Sequence, residues 1–271
     1  MKSVWMTFVF AALTIGTAEA KTVAELTSKG SAEDKGRAIA AELDARNAGY
    51  RDLSGEVEMV LRDPSGSEAK RRFSIKVLEQ PDPAVGDYSL IIFDNPTDVK
   101  GTALLSHGKA SGDDDQWLYL PALGRVKRIS SANRTGSFVG SEFAYEDLTG
   151  NDTAKSSWRL LGQKACGKLS CLELEATPKD PASGYSRRVL TVDDSEFRIL
   201  SVDFFDRKAA RIKTLTYDAY KKVNDRYWRA QAWTMKNHQS GKVTTLAFTA
   251  MRMGIGLRAA DFSSEKLRNA R

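Results

Sequence analysis

The sequence predicts a mainly β (α+β) protein in which one antiparallel sheet curls on itself behind a single N-terminal helix. Three observations carry that expectation. Apolar residues recur with period two from Gly55 onward. Roughly a dozen strand-length stretches then follow one another with no helices between them, and the one clear helical pattern precedes them all. No linker and no internal repeat interrupts the pattern, so residues 21–271 are expected to form a single domain.

The first twenty residues are a separate object. Lys2 precedes an apolar run from Val4 to Ile15, and Ala18-Glu19-Ala20 has the small-x-small pattern of a signal-peptidase site. Residues 1–20 therefore read as a cleaved signal peptide, with Lys21 as the new N-terminus. The run is shorter than the roughly 20 apolar residues a bilayer span needs. No Cys follows it to receive a lipid.

Ser31-Ala32-Glu33-Asp34 has the shape of a capping box, and Ala38, Ile39, Leu43 and a stop at Gly49 describe an amphipathic helix of about four turns. The period then changes. Val57, Met59 and Leu61 alternate with Glu56, Glu58 and Arg62. Asp63-Pro64-Ser65-Gly66 makes a turn into Phe73, Ile75 and Val77, which gives a β-hairpin. Further strands are expected at 88–93, 101–106, 116–120, 125–129, 158–162, 172–176, 186–192, 197–205, 210–217, 227–236 and 242–251.

One stretch breaks the alternation. Gly136 to Gly150 is glycine-bracketed and aromatic-rich, with Phe138, Phe143 and Tyr145, and has neither a strand's period nor a stable helix's length. It reads as a short helix or loop packed over something, preceded by a basic cluster of Arg125, Lys127, Arg128 and Arg134. A sheet with this much apolar surface needs a second layer. Either it closes into a filled barrel, or it stays partly open around an apolar cavity covered by the helix and this segment.

Composition removes most chemistry. With 41% hydrophobic and 28% charged residues the chain is in the globular range, and 41 Lys+Arg against 35 Asp+Glu leave a formal charge of +6. That mild excess suits an anionic surface and is no signature of nucleic-acid binding. Loss of residues 1–20 removes Lys2 with Glu19 and leaves the balance unchanged. Two His and two Cys give little scope for zinc, iron-sulfur or His-driven acid-base chemistry. Gly-x-Ser-x-Gly, Walker, His-Glu-x-x-His and dinucleotide-binding motifs are all missing from the sequence. His107 and His238 read as ordinary turn or surface residues. Asp113-Asp114-Asp115 lacks EF-hand spacing and reads as a solvated acidic turn. No catalytic residue, metal ligand or cofactor is nominated, and no enzyme activity is expected. Cys166 and Cys171 flank a Gly-containing turn, and in an exported protein they are expected to form a structural disulfide; a redox pair is the alternative.

The block Asp113-Asp114-Asp115-Gln116-Trp117-Leu118-Tyr119-Leu120-Pro121-Ala122-Leu123-Gly124-Arg125-Val126-Lys127-Arg128-Ile129, with Ser137 to Leu148 after it and Phe93 to Leu105 before it, resembles the central motif of the LolA-like outer membrane lipoprotein-sorting protein family. The resemblance implies a half-open antiparallel β-barrel of about 11–12 strands, with an N-terminal helix and a short lid segment covering an apolar cavity. It also implies a periplasmic carrier that holds acyl chains of lipid or lipoprotein between the inner and outer membranes. Its partners would include an inner-membrane efflux-type lipid transporter and, transiently, a membrane surface. On this reading Phe138, Val139, Phe143 and Tyr145 form the lid, and Ile75, Leu90, Ile92, Trp117, Tyr119 and Trp228 line the cavity. Arg125, Lys127, Arg128 and Arg134 then form a rim for a headgroup or membrane. A lipid-sensing regulatory protein of the same fold is the alternative.

Overall fold

The computed structural model describes residues 21–82, 85–149 and 153–268; the expected signal peptide lies outside them. Two helices open the chain. Helix α1 (Val23–Thr27) and helix α2 (Ala32–Asn47) each begin with a reciprocal capping box, Thr22 with Glu25 and Ser31 with Asp34. Helix α2 lies against a strand so closely that a Cβ on Gly36 would stand 2.6 Å from the backbone of Arg159. Glycine is required there by that approach rather than by any turn.

Thirteen strands follow, one or two more than expected, because every stretch named above carries its own strand. They are β1 (Asp52–Arg62), β2 (Glu68–Leu78), β3 (Val85–Asn95), β4 (Ala103–Lys109), β5 (Asp115–Leu120), β6 (Arg125–Ile129), β7 (Ser156–Cys166), β8 (Leu169–Pro178), β9 (Arg187–Asp193), β10 (Ile199–Phe205), β11 (Arg211–Val223), β12 (Tyr227–Asn237) and β13 (Val243–Met253). A 3-10 turn (Ala259–Phe262) and helix α3 (Ser264–Arg268) end the described chain. Among the described residues no helix is long and apolar enough to cross a membrane.

All thirteen strands share one antiparallel sheet in the order β6-β5-β4-β3-β2-β1-β13-β12-β11-β10-β9-β8-β7. Each strand pairs with its neighbour in sequence except at two places. Strand β1 pairs with β13, which joins the two ends of the meander, whereas β6 and β7, consecutive in the chain, form the two free edges. The barrel is therefore not closed. The chain from Ser130 to Lys155 crosses between the edges.

Directly opposed residues of antiparallel strands share a face. Ile75, Ile91, Leu104 and Leu118 stand in one such row, and Leu90, Leu105 and Trp117 in the next. The first row belongs to the main core, which also holds Ile39 and Leu43 of α2 and Phe138 and Phe143 of the crossing segment. We call this the inner face. The second row belongs to a separate core on the outer face, built from Leu90, Ala103 and Leu105 and sealed by Phe262 and Leu267 of the C-terminal segment.

The β7–β8 hairpin carries the disulfide between Cys166 and Cys171, whose Cα atoms are 6.1 Å apart. The Asp113–Asp115 turn is not solvated in the way its composition suggests, because every carboxylate in it meets a cation. Asp113 pairs with Arg134, buried Asp114 with Lys155, and Asp115 with both Lys109 and Arg128. The backbone N–H of Lys109 also donates to Asp114, at 2.8 Å.

Candidate ligand-binding site

The crossing segment folds back on itself at the inner face. Ser137 and Ala144 form an isolated bridge, and the Phe138 N–H donates to the Phe143 carbonyl at 2.8 Å. The reversal puts Val139 at φ 46° and Gly140 at φ 71°. A β-branched residue in that region is unfavourable, and the surroundings hold it there. The Arg71 guanidinium donates to the Val139 carbonyl. The Glu142 N–H donates to Thr244 Oγ1 at 3.0 Å, Lys213 Nζ donates to the Glu142 carbonyl at 2.9 Å, and Asn237 Nδ2 to Glu142 Oε2 at 2.7 Å. The tip is thus fastened to β2, β11, β12 and β13, in the middle of the sheet. Phe138 and Phe143 are each 1% exposed, and Phe138 packs against Phe93 with ring centroids 5.6 Å apart. Side chains of the segment itself fill the interior at this end.

The return arm is tied to the β8–β9 connection. Glu146 accepts from Ser183 Oγ at 2.8 Å and from the Gly184 N–H at 3.0 Å, while Asp147 accepts from the Tyr185 hydroxyl and its own Ala144 N–H. Burial pushes both carboxyls above their usual range. The hydrogen bonds, with Arg134 near Glu146 and with Lys213 and Arg188 near Asp147, pull the other way.

Between this segment and α2 the inner face carries a row of apolar side chains that remain half-buried. Tyr217 on β11, Trp233 on β12 and Phe248 on β13 form a ladder with ring centroids 5.3 Å apart at each step. Ile75 on β2 continues the row across Gly55, where a Cβ would lie 3.3 Å from both Ile75 Cγ2 and Phe248 Cδ1. Glycine at 55 lets those two side chains approach over the intervening strand. Large apolar groups left partly open on one face of a sheet are a surface suited to an apolar ligand. Two of them carry donors without acceptors. Trp233 Nε1 is buried with no partner, and the Tyr217 hydroxyl makes no hydrogen bond among the described residues.

The residues nominated from sequence are divided by this architecture. Phe138, Val139, Phe143 and Tyr145 come together on the inner face with the main core, where Ile75 also lies. Leu90, Ile92, Trp117 and Tyr119 lie on the outer face, in the core covered by Phe262 and Leu267. They cannot line one surface with Phe138, because strand alternation turns them away from it. Trp228 joins neither core; its Nε1 donates to Glu196 at 2.8 Å, with Arg198 and Lys222 over its ring. The basic residues do not form one rim either. Arg128 pairs with Asp115, and Arg134, 11% exposed, bridges Asp113 and Asp180, whereas Arg125 and Lys127 are exposed. His107 is stacked on Tyr88 at 4.1 Å with Nε2 2.7 Å from the Phe262 carbonyl, on the outer face. Among the described residues no group of three or more His, Cys, Asp or Glu is arranged to hold a metal. Tyr217, Trp233 and Phe248 were not nominated. Each sits in an expected strand, and only the register between strands aligns them.

The architecture is an open antiparallel sheet whose two edges are joined by a segment folded onto its inner face. A family model described only as an uncharacterized protein matches residues 86–269. An outer membrane lipoprotein-sorting protein domain from Vibrio parahaemolyticus is 44% identical, with 87% of this chain and 99% of that one covered at a TM-score of 0.84. A DUF1329 family protein from Desulfovibrio piger is 28% identical over 88% of this chain and 100% of its own, with a TM-score of 0.83. A LolA superfamily protein from Nitrosomonas europaea, 19% identical, shares the fold at a TM-score of 0.69 over 88% of this chain and all of its own. The chain belongs to the LolA-like outer membrane lipoprotein-sorting protein family. No curated protein matches it.

Proposed function

We propose that this protein is a periplasmic carrier that holds the acyl chains of a lipid or lipoprotein on the inner face of its open barrel and moves them between the inner and outer membranes. One observation carries the reading. The row Tyr217, Trp233, Phe248 and Ile75 stays half-buried on the face that elsewhere is packed by α2 and the crossing segment. Each methylene removed from water there gains about 0.8 kcal/mol, so a chain of ordinary length needs no covalent attachment to be held. The relative from Vibrio parahaemolyticus, described as lipoprotein-sorting, supports the same reading.

On this proposal the crossing segment is the lid, with Phe138 and Phe143 as its anchoring side chains. Residues 1–20 direct export. Exposed Arg125 and Lys127 meet the anionic membrane surface, and an inner-membrane efflux-type lipid transporter hands over the cargo. The scheme assigns no chemical step to any side chain.

Native mass spectrometry of the protein recovered from periplasm tests the reading. Bound acyl lipid is expected, and the delipidated protein should take up the apolar dye 1-N-phenylnaphthylamine. Ile75→Lys, at a half-buried position, should weaken dye uptake at least about tenfold while the protein stays folded. Protein that carries no lipid as isolated and takes up no dye once stripped would end the proposal.

A further inference from the structure

The half-buried row is apolar but not inert. Trp233 Nε1 is buried and has no acceptor among the described residues. A buried donor left without an acceptor is costly, and native proteins rarely keep one without a purpose. Its neighbour Tyr217, one ring away at 5.3 Å, carries a hydroxyl with no hydrogen bond among the described residues. A third donor on the same face, Arg188 Nε, is also buried and unpartnered, although Arg188 Nη2 reaches Ser156 Oγ at 3.1 Å. The three stand on β9, β11 and β12. Arg188 is placed on the inner face by its opposition to Phe204 and Lys213.

The charges around these donors are of both signs. Asp147 and Arg188 both act electrostatically on Tyr217, with opposite effect, and Lys213 stands near Asp147. An anionic group laid against Tyr217 would meet the Asp147 side chain as well as Arg188. A neutral oxygen brings no charge to oppose either of them, and a hydroxyl and an indole N–H are both donors to it.

We infer that Tyr217 and Trp233 bind the carbonyl oxygen of an ester- or amide-linked acyl chain, so that the inner face selects acylated molecules over hydrocarbon or ether chains of equal length. This rests on the carrier reading and sharpens it, because it names the linkage beside the chain as the recognised group. The apolar row supplies affinity through burial; the two donors supply discrimination, since only a ligand with a carbonyl relieves them.

A matched pair of ligands tests it. 1-Monopalmitoylglycerol and 1-O-hexadecylglycerol share chain length and glycerol head and differ in the carbonyl. Displacement of bound 1-N-phenylnaphthylamine from the delipidated protein reports the affinity of each. The ester is expected to bind about tenfold more tightly than the ether, the scale of two net hydrogen bonds. Tyr217→Phe with Trp233→Phe leaves an aromatic ring at each position and removes both donors, and should bring the ester-to-ether affinity ratio to about one, whatever it does to the affinity of either ligand alone. Tyr217→Phe alone, which removes a single hydroxyl, should reduce the preference about threefold if the double variant melts early. If the wild type takes up the dye but binds ester and ether equally, the inference fails and the carrier reading stands. If the preference survives the double variant, the donors are not its source and the inference fails. If neither ligand nor dye binds the wild type, both fall together.

Discussion

The hydroxyl of Tyr185 lies 2.9 and 3.1 Å from the two carboxylate oxygens of Asp147, which ties the β8–β9 connection to the return arm of the crossing segment. The contact opposes the burial that pushes the Asp147 carboxyl up. Tyr185→Phe should therefore raise that carboxyl further and cost about 1–2 kcal/mol at pH 7. The sign with pH follows from which form the hydrogen bond favours. It supports the ionised carboxylate, so the loss should shrink as pH falls through the raised folded value toward pH 4. Thermal melts of both proteins at pH 7 and pH 4 measure this; an equal loss at both would contradict it.

Thr244 offers its hydroxyl to the Glu142 N–H at the tip of the segment. Thr244→Val keeps the shape and removes the acceptor, leaving a backbone donor without its partner. A cost of about 1–3 kcal/mol is expected. Amide exchange at residues 141–143 should quicken by more than that of the β1–β13 pair, since Arg71, Lys213 and Asn237 would then hold the tip without it.

Phe143 is 1% exposed in the main core, so its loss belongs to packing before it belongs to ligand binding. Phe143→Ala should cost about 3–5 kcal/mol. Phe143→Asp should cost more, because a carboxylate there has no partner to compensate its desolvation. Circular dichroism will show whether the variant still folds. Uptake lost in an unfolded variant says nothing about the lid, which is why the half-buried row is the better place to probe function.

Asp193 is fully buried at the β9–β10 turn, where it receives the N–H groups of Ser195 and Glu196, the Ser195 hydroxyl and Arg198. Burial opposes ionisation, but these donors outweigh it and hold the carboxyl below its usual range. Asp193→Asn should destabilise by about 2–3 kcal/mol at neutral pH. A lowered folded value means the wild-type advantage is complete above about pH 4, the ordinary carboxylate range, and fades as pH falls through the folded value. Melts at pH 7, 5 and 3 should show a constant gap at the first two and a narrower one at the third.

The strands and the helix caps were legible because they are local. Alternation at Val57, Met59 and Leu61 and the Ser31 capping box depend only on near neighbours. The faces were not. In β3 both Leu90 with Ile92 and Ile91 with Phe93 are apolar, so alternation cannot say which pair looks inward. The answer comes from Phe262 and Leu267, more than 150 positions away, which cover the outer set. The alignment of Tyr217, Trp233 and Phe248 was hidden for the same reason, since it depends on register across three strands and on the β1–β13 pairing.

Consecutive strands β6 and β7 stand at opposite margins of the sheet, joined by the chain between them and by side-chain ties such as Lys155 with Asp114 and Arg134 with Asp180. Widening that seam breaks no ladder hydrogen bond and shifts no register; it asks the side-chain ties of the crossing segment to let go, those of the tip around Glu142 to the central strands and those of Arg134, Glu146, Asp147 and Lys155 nearer the edges. Side-chain ties, and no ladder, therefore set the girth of the molecule, as a clasp sets the width of a bracelet whose links all stay joined.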